Sequence, residues 1–183
     1  MTPTLVPNRF LDPRLLASHF HIEPGSSVID FGAGAGTFVP VVAEKVGTAG
    51  RVIACECQRP LVERIGSLAK SRGYRQVEPQ WCDVEQAEGI RVTDETIDFG
   101  LLINTLHQLE IHENAIRELR RTLRSGAVVY VVDWIDSFGG IGPHTSQVLS
   151  RDRVIALFEG MYFIFEREYP AGAYHYGLAF RKI

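Results

Sequence analysis

The sequence has no run near the ~20 consecutive apolar residues needed to cross a bilayer, and its first residues lack the basic-then-apolar order of a secretion signal. We therefore expect a cytoplasmic protein with no membrane partner. Cysteine is scarce, three in 183 residues, an odd and small number for a secreted disulfide scaffold. Cys55 and Cys57 are spaced to share one face of a strand, as a soft-metal pair would. No further Cys or His cluster supplies other ligands, so they read as small buried hydrophobes, and no metal is expected. His112-Glu113 opens like a zinc-protease motif, but Ile116 and Arg117 stand where its second histidine would fall. A strong charge of one sign is missing too. The net charge of -3 gives no electrostatic reason to expect nucleic acid or an anionic membrane as partner. No repeat or low-complexity segment is present.

What remains is an ordinary globular composition, 45% hydrophobic and 22% charged. The chain is long enough for one domain, 1–183, that buries roughly 70% of its unfolded surface. Within it, Val28-Ile29-Asp30-Phe31-Gly32-Ala33-Gly34-Ala35-Gly36 reads as a buried strand running into a glycine turn, with a helix from Phe38 through Val46 behind it. Glycines at every second position are costly to order, which suggests a sharp turn or close approach to a ligand. A strand, a glycine turn and a helix N-terminus together form a common nucleotide-type site.

Along the chain, residues 1–24 read as an irregular arm and a short helix around Arg14 to Phe20. Arg51–Glu56 is a second strand, and the helix after Pro60 carries Leu61, Val62, Ile65, Leu68 and Ala69 at helical spacing. Gln76–Cys82 is a weaker strand, and residues 85–95 are polar and non-periodic. Ile97–Asn104 is strongly apolar. Ala115, Ile116, Leu119 and Leu123 form a helical stripe ended by Gly126, with Arg117, Arg120, Arg121 and Arg124 on what reads as a solvated face. Ala127–Trp134 is an apolar strand, 137–144 a glycine-rich loop, and Ser150 the cap of a further helix. Tyr162–Tyr169 and His175–Phe180 close the chain as strands with no helix between them, so they must pair antiparallel, whereas the earlier strands alternate with helices and predict a parallel sheet.

The surroundings of the glycine turn narrow its meaning. Asp30 would repel a diphosphate and welcome a cation such as an amino group or a sulfonium. Thr37 occupies the place of the last glycine in the dinucleotide fingerprint, which disfavours a nicotinamide oxidoreductase. Glu56 ends the second strand, where an acid can grip ribose hydroxyls. Asp83 ends the third, where it can accept from an adenine amino group while the amide of Val84 donates to the ring. These acids would meet at the carboxyl ends of adjacent parallel strands, where open α/β sheets bind ligands.

With these residues in place, the chain resembles the class I S-adenosylmethionine-dependent methyltransferases, in the broad group of the ubiquinone and menaquinone biosynthesis enzymes. The first motif is Val28 to Gly36, the acidic second strand Val52-Ile53-Ala54-Cys55-Glu56, and the fourth-strand motif Ile97 to His107. Glu118 to Ala127 and Tyr176 to Lys182 match the later motifs, with Ser125 and Ala127 replacing the usual proline and second glycine. The resemblance implies a Rossmann-like three-layer sandwich whose seven-stranded, mostly parallel sheet has the order 3-2-1-4-5-7-6 with strand seven antiparallel. It implies S-adenosyl-L-methionine as cofactor and S-adenosyl-L-homocysteine as product, with Asp30, Gly32, Ala33, Gly34, Gly36, Glu56, Cys57, Asp83, Val84 and Asn104 as cofactor-binding residues. His107, just past strand four, is the first candidate to face the methyl acceptor. His144 in the Gly142-Pro143-His144 loop follows, and Tyr174 and His175 come behind it. A small-molecule acceptor is expected. A non-catalytic cofactor-binding subunit and a protein or RNA methyltransferase are the alternatives.

Overall fold

The computed structural model describes residues 11–183, so the part of the N-terminal arm that includes Phe10 lies outside the described residues. Pro13–Ala17 forms a short helix, α1, whose cap Asp12 accepts from the amides of Arg14 and Leu15. The helix expected to reach Phe20 stops at Ala17, and Phe20 instead stacks on Tyr130 at 4.6 Å between ring centroids. The alternation that follows comprises β1 (Ser27–Phe31), α2 (Val39–Val46), β2 (Arg51–Glu56), α3 (Arg59–Arg72), β3 (Val77–Trp81) and β4 (Ile97–Ile103). Next come α4 (His112–Thr122), β5 (Leu123–Trp134), α5 (Arg151–Glu159), β6 (Phe163–Pro170) and β7 (His175–Lys182).

One seven-stranded sheet has the order β3-β2-β1-β4-β5-β7-β6. The first five pair in parallel, while β7 runs antiparallel to both β5 and β6. The expected architecture is therefore observed. Helices on both faces explain why β1, β2 and β5 are apolar runs rather than alternating sequences. Val28, Ala54, Leu101 and Tyr130 join α1 and α2 in one core, and Ile29, Ile53, Leu102 and Val131 join α4 and α5 in the other. Pro79 is accommodated because β3 is an edge strand, where a missing amide donor costs no ladder bond.

Two expectations fail on α4. The helix ends at Thr122, before Gly126: Leu123 leaves it to pair with Ile97, and Gly126, at φ +77°, lies in the irregular stretch before Val128 pairs with Phe99. Strand pairing and burial of Leu123 override its helical periodicity. Nor is the arginine face uniformly solvated. The Arg121 side chain is 19% exposed and bonded to Glu118 and Asp94, and the Arg120 guanidinium lies over the Tyr162 ring. Among the described residues, no helix is long and apolar enough to cross a membrane.

Candidate active site

The parallel strands β1 to β4 end on a cavity of about 360 Å3 lined by Gly32, Gly34, Glu56, Cys57, Gln58, Leu61, Cys82, Asp83, Val84, Glu85, Thr105, Gln108 and Leu109. A larger cleft, about 500 Å3, opens at the opposite end of the sheet, where Arg124 pairs with Asp98 and Arg181 with Glu166. It contains neither the glycine turn nor any of the candidate residues.

The glycine turn is built by β2. The amides of Gly32 and Ala33 both donate to the carbonyl of Cys55, and the Gly34 amide donates to Oε2 of Glu56 at 2.9 Å. Glu56 is 6% exposed, and its Oε1 accepts from the amide of Gln58, also at 2.9 Å. One carboxylate thus holds the turn after β1 and the start of α3 together; Oε1 also accepts from the Cys57 thiol, and Oε2, with the Gly34 amide as its one donor, keeps acceptor capacity for a ligand. Gly32 is required by packing: at φ +90°, a β-carbon there would lie 2.7 Å from the Thr105 side chain. Gly36, at φ +78°, presses in the same way on Ile65. Gly34 differs. It also has a positive φ, +54°, but a β-carbon there meets no protein atom within 4 Å, and the residue lines the cavity.

Asp30 is buried beneath the turn. Burial, with the nearby Glu56 charge adding to it, raises its carboxyl from 3.8 to about 7. Asn104, past the end of β4, has φ +56°, an uncommon conformation for a side-chain-bearing residue, and its Oδ1 is buried with no hydrogen-bond partner. A buried carboxyl pushed toward neutrality and an unpaired carbonyl oxygen both gain from a cationic donor. Asp83 Oδ1 accepts from the Glu85 amide at 3.0 Å, shaping the opposite wall.

His107 stands on a 3-10 turn after β4. Its Nδ1 is 2.7 Å from Oδ1 of Asp133, a 2%-exposed residue near the end of β5 that also accepts from the amides of His107 and Trp134. The Asp133 partnership was not apparent from sequence; its only sign was an acid closing an apolar strand. His175 and Tyr176, opposite Trp134 and Asp133 on β7, are buried with unpartnered ring nitrogens and hydroxyl. Burial lowers His175 to about 4, against the pull of Asp133, and holds the Tyr176 hydroxyl well above its usual range.

The structure thus brings Gly32, Gly34, Glu56, Cys57, Asp83 and Val84 to one cavity wall. Ala33, Gly36, Asp30 and Asn104 support that wall from behind or beside it without lining it. His144 lies elsewhere, capping an exposed turn at 145–147 with its Nδ1 2.8 Å from Ser146 Oγ. Sequence reasoning missed Gln58, Leu61, Cys82, Glu85, Thr105, Gln108 and Leu109, ordinary loop and helix-start residues that only the folded chain collects.

A family profile described as a methyltransferase domain matches residues 22–148. The chain belongs to that methyltransferase family. Its structure is similar to a SAM dependent methyltransferase from Aquifex aeolicus, with 26% identity, 96% of this chain and 92% of the other covered, and a TM-score of 0.87. The [4+2]-cyclase SpnF shares the fold at 15% identity, covering 93% of this chain and 80% of its own, with a TM-score of 0.78. In sequence, the ubiquinone/menaquinone biosynthesis C-methyltransferase UbiE of Hydrogenovibrio crunogenus is 26% identical over 115 residues, 62% of this chain. The matched stretches span only 32% and 44% of the curated relatives' lengths. As a class I methyltransferase domain, the chain has S-adenosylmethionine as its cofactor, and an ammonium-bearing ligand fits the buried Asp30 and the unpaired Asn104 oxygen.

Proposed function

We propose that residues 1–183 form one catalytic domain that transfers a methyl group from S-adenosylmethionine to a small-molecule acceptor. The observation that carries this reading is the convergence of the Gly34 turn, Glu56, Asp83 and Val84 on one cavity, with Asp30 and Asn104 set beside it to receive a cation. In this reading Asp30 and Asn104 hold the amino-acid end of the cofactor, with the backbone of Gly32, Ala33, Gly34 and Gly36 alongside. Glu56 accepts from the ribose hydroxyls, Cys57 lines the rim, and Asp83 with the Val84 amide holds the adenine.

When bound, the cofactor supplies a methyl group on a sulfonium that is its own leaving group. The protein's main task is then to hold the acceptor in line, and orientation of this kind accounts for about 7 to 11 kcal/mol in well-aligned intramolecular reactions. Where the acceptor must lose a proton, His107 takes it. The bond to Asp133 keeps the proton of the neutral ring on Nδ1 and leaves Nε2 as the accepting nitrogen, with Asp133 stabilising the imidazolium that forms. His144, which caps the exposed turn at 145–147, is the second candidate for that role.

Calorimetry with S-adenosylhomocysteine, S-adenosylmethionine and NAD tests the reading: heat from the adenosyl ligands and none from NAD is expected, and the reverse pattern would overturn it. A screen of acceptors with a radiolabelled methyl donor then separates a small molecule from a protein or RNA, and separates catalysis from binding alone.

A further inference from the structure

Residues 84–96 have no helix or strand, yet they connect β3 to β4 and supply Val84 and Glu85 to the cavity wall next to Asp83. Their middle is held by α4. Glu118, 3% exposed, accepts from the amides of Glu88 at 3.1 Å and Ile90 at 3.2 Å. Arg121, one helical turn on, grips both oxygens of Glu118 at 2.9 and 2.7 Å and donates to the carbonyls of Ile90 at 3.0 Å and Val92 at 2.8 Å. Burial pushes the Glu118 carboxyl up, but Arg121 and the two amides outweigh it and hold it below the usual range. Between the two amides Glu118 holds sits Gly89, packed so closely on Asp83 that a β-carbon would lie 2.3 Å from the Asp83 carbonyl oxygen. At the near end of the segment, Glu85 accepts from the amide of Ile111, the N-cap of α4. At the far end, Lys182 of β7 holds Glu95 at 3.0 Å.

We infer that the Glu118–Arg121 pair of α4, outside the cavity, positions the Asp83–Val84–Glu85 wall and thereby sets affinity for the adenosine part of the ligand. This rests on the cofactor reading above. The pair acts through a chain of hydrogen bonds: Glu118 holds the amides of residues 88 and 90 on either side of Gly89, the Gly89 amide donates to the Gln86 carbonyl, and the Gln86 amide donates to the Asp83 carbonyl. A binding free energy coupled to such a contact changes in both directions, so ligand and pair stabilise each other's arrangement.

The test compares Glu118→Gln with Phe158→Leu, a core change in α5 remote from the cavity and chosen to lower the melting temperature similarly. Calorimetry with S-adenosylhomocysteine and with 5′-methylthioadenosine, which keeps the adenosine and sulfur but lacks the amino-acid part, should show both ligands weakened about tenfold by Glu118→Gln and unchanged by Phe158→Leu. Unchanged binding in Glu118→Gln, or weakening that tracks melting temperature in both variants, would overturn the inference. Native-state hydrogen exchange on the wild-type protein covers the case of a variant that does not fold. Ligand should slow exchange at Glu88 and Ile90 together with Val84 and Glu85, and slowing confined to Val84 and Glu85 would also overturn it. No heat from the wild-type protein with either ligand would sink the cofactor reading, and this inference with it.

Discussion

Nδ1 of His107 lies 2.7 Å from Oδ1 of Asp133, so the open ends of β4 and β5 are joined by a histidine–carboxylate hydrogen bond. If His107 is the base, His107→Ala should lower turnover of an acceptor that must be deprotonated by about 10²- to 10⁴-fold, with S-adenosylhomocysteine affinity preserved. Asp133→Asn should lower turnover as well, because the ring loses the partner that selects its tautomer. The check is S-adenosylhomocysteine release on the acceptor found by screening. Full activity in His107→Ala would remove the residue from proton transfer.

Asp30 gives a pH-dependent prediction. Its carboxyl is raised from 3.8 to about 7, so between those values the folded protein binds a proton that the unfolded chain has released. Stability from this group therefore falls as pH rises through that window and levels off above it. Asp30→Asn should flatten the fall and stabilise the ligand-free protein at about pH 8 by up to about 4 kcal/mol, read from denaturant melts.

The same carboxyl predicts a proton count. An ammonium placed beside Asp30 favours its ionised form, so binding S-adenosylhomocysteine at about pH 6 should release up to about one proton. Calorimetry in buffers of different ionisation heat measures it. A buffer-independent heat, or a release that persists in Asp30→Asn, would reject the ammonium contact.

Gly32 and Gly34 should respond differently to alanine. Gly32→Ala drives a β-carbon into Thr105 at 2.7 Å and should lower the melting temperature sharply. Gly34→Ala meets no protein atom, so its stability cost should be limited to the left-handed backbone, about 1 to 2 kcal/mol. Its main effect should be weaker S-adenosylhomocysteine binding, and unchanged affinity would place the ligand away from Gly34.

Glu56 tests the ribose contact. Glu56→Gln keeps one acceptor oxygen for a backbone amide but loses the charge, and should weaken adenosyl-ligand binding by roughly 1.5 to 3 kcal/mol, measured by calorimetry. An unaltered affinity would limit Glu56 to bracing the Gly34 turn.

The sequence by itself determined the sheet and one side of the site. Its apolar runs, glycine turn and strand-end acids are local signals, because a strand covered on both faces must be apolar along its length and a tight turn must use glycine. Those signals located Gly32, Gly34, Glu56 and Asp83 and gave the strand order through the family resemblance. Only the tertiary structure decided which partners these residues have. Asp133 reaches His107 across 26 positions, and Glu118 reaches Glu88 across 30. Both carboxylates are buried, so their bonds follow from how β5 and α4 pack against loops distant in sequence, and no local pattern records that distance. By sequence alone, the polar segment at 85–95 is a loop and the arginines of α4 a solvated face. In the folded chain Arg121 and Glu118 hold that loop, because a buried carboxylate must find donors wherever the packing supplies them.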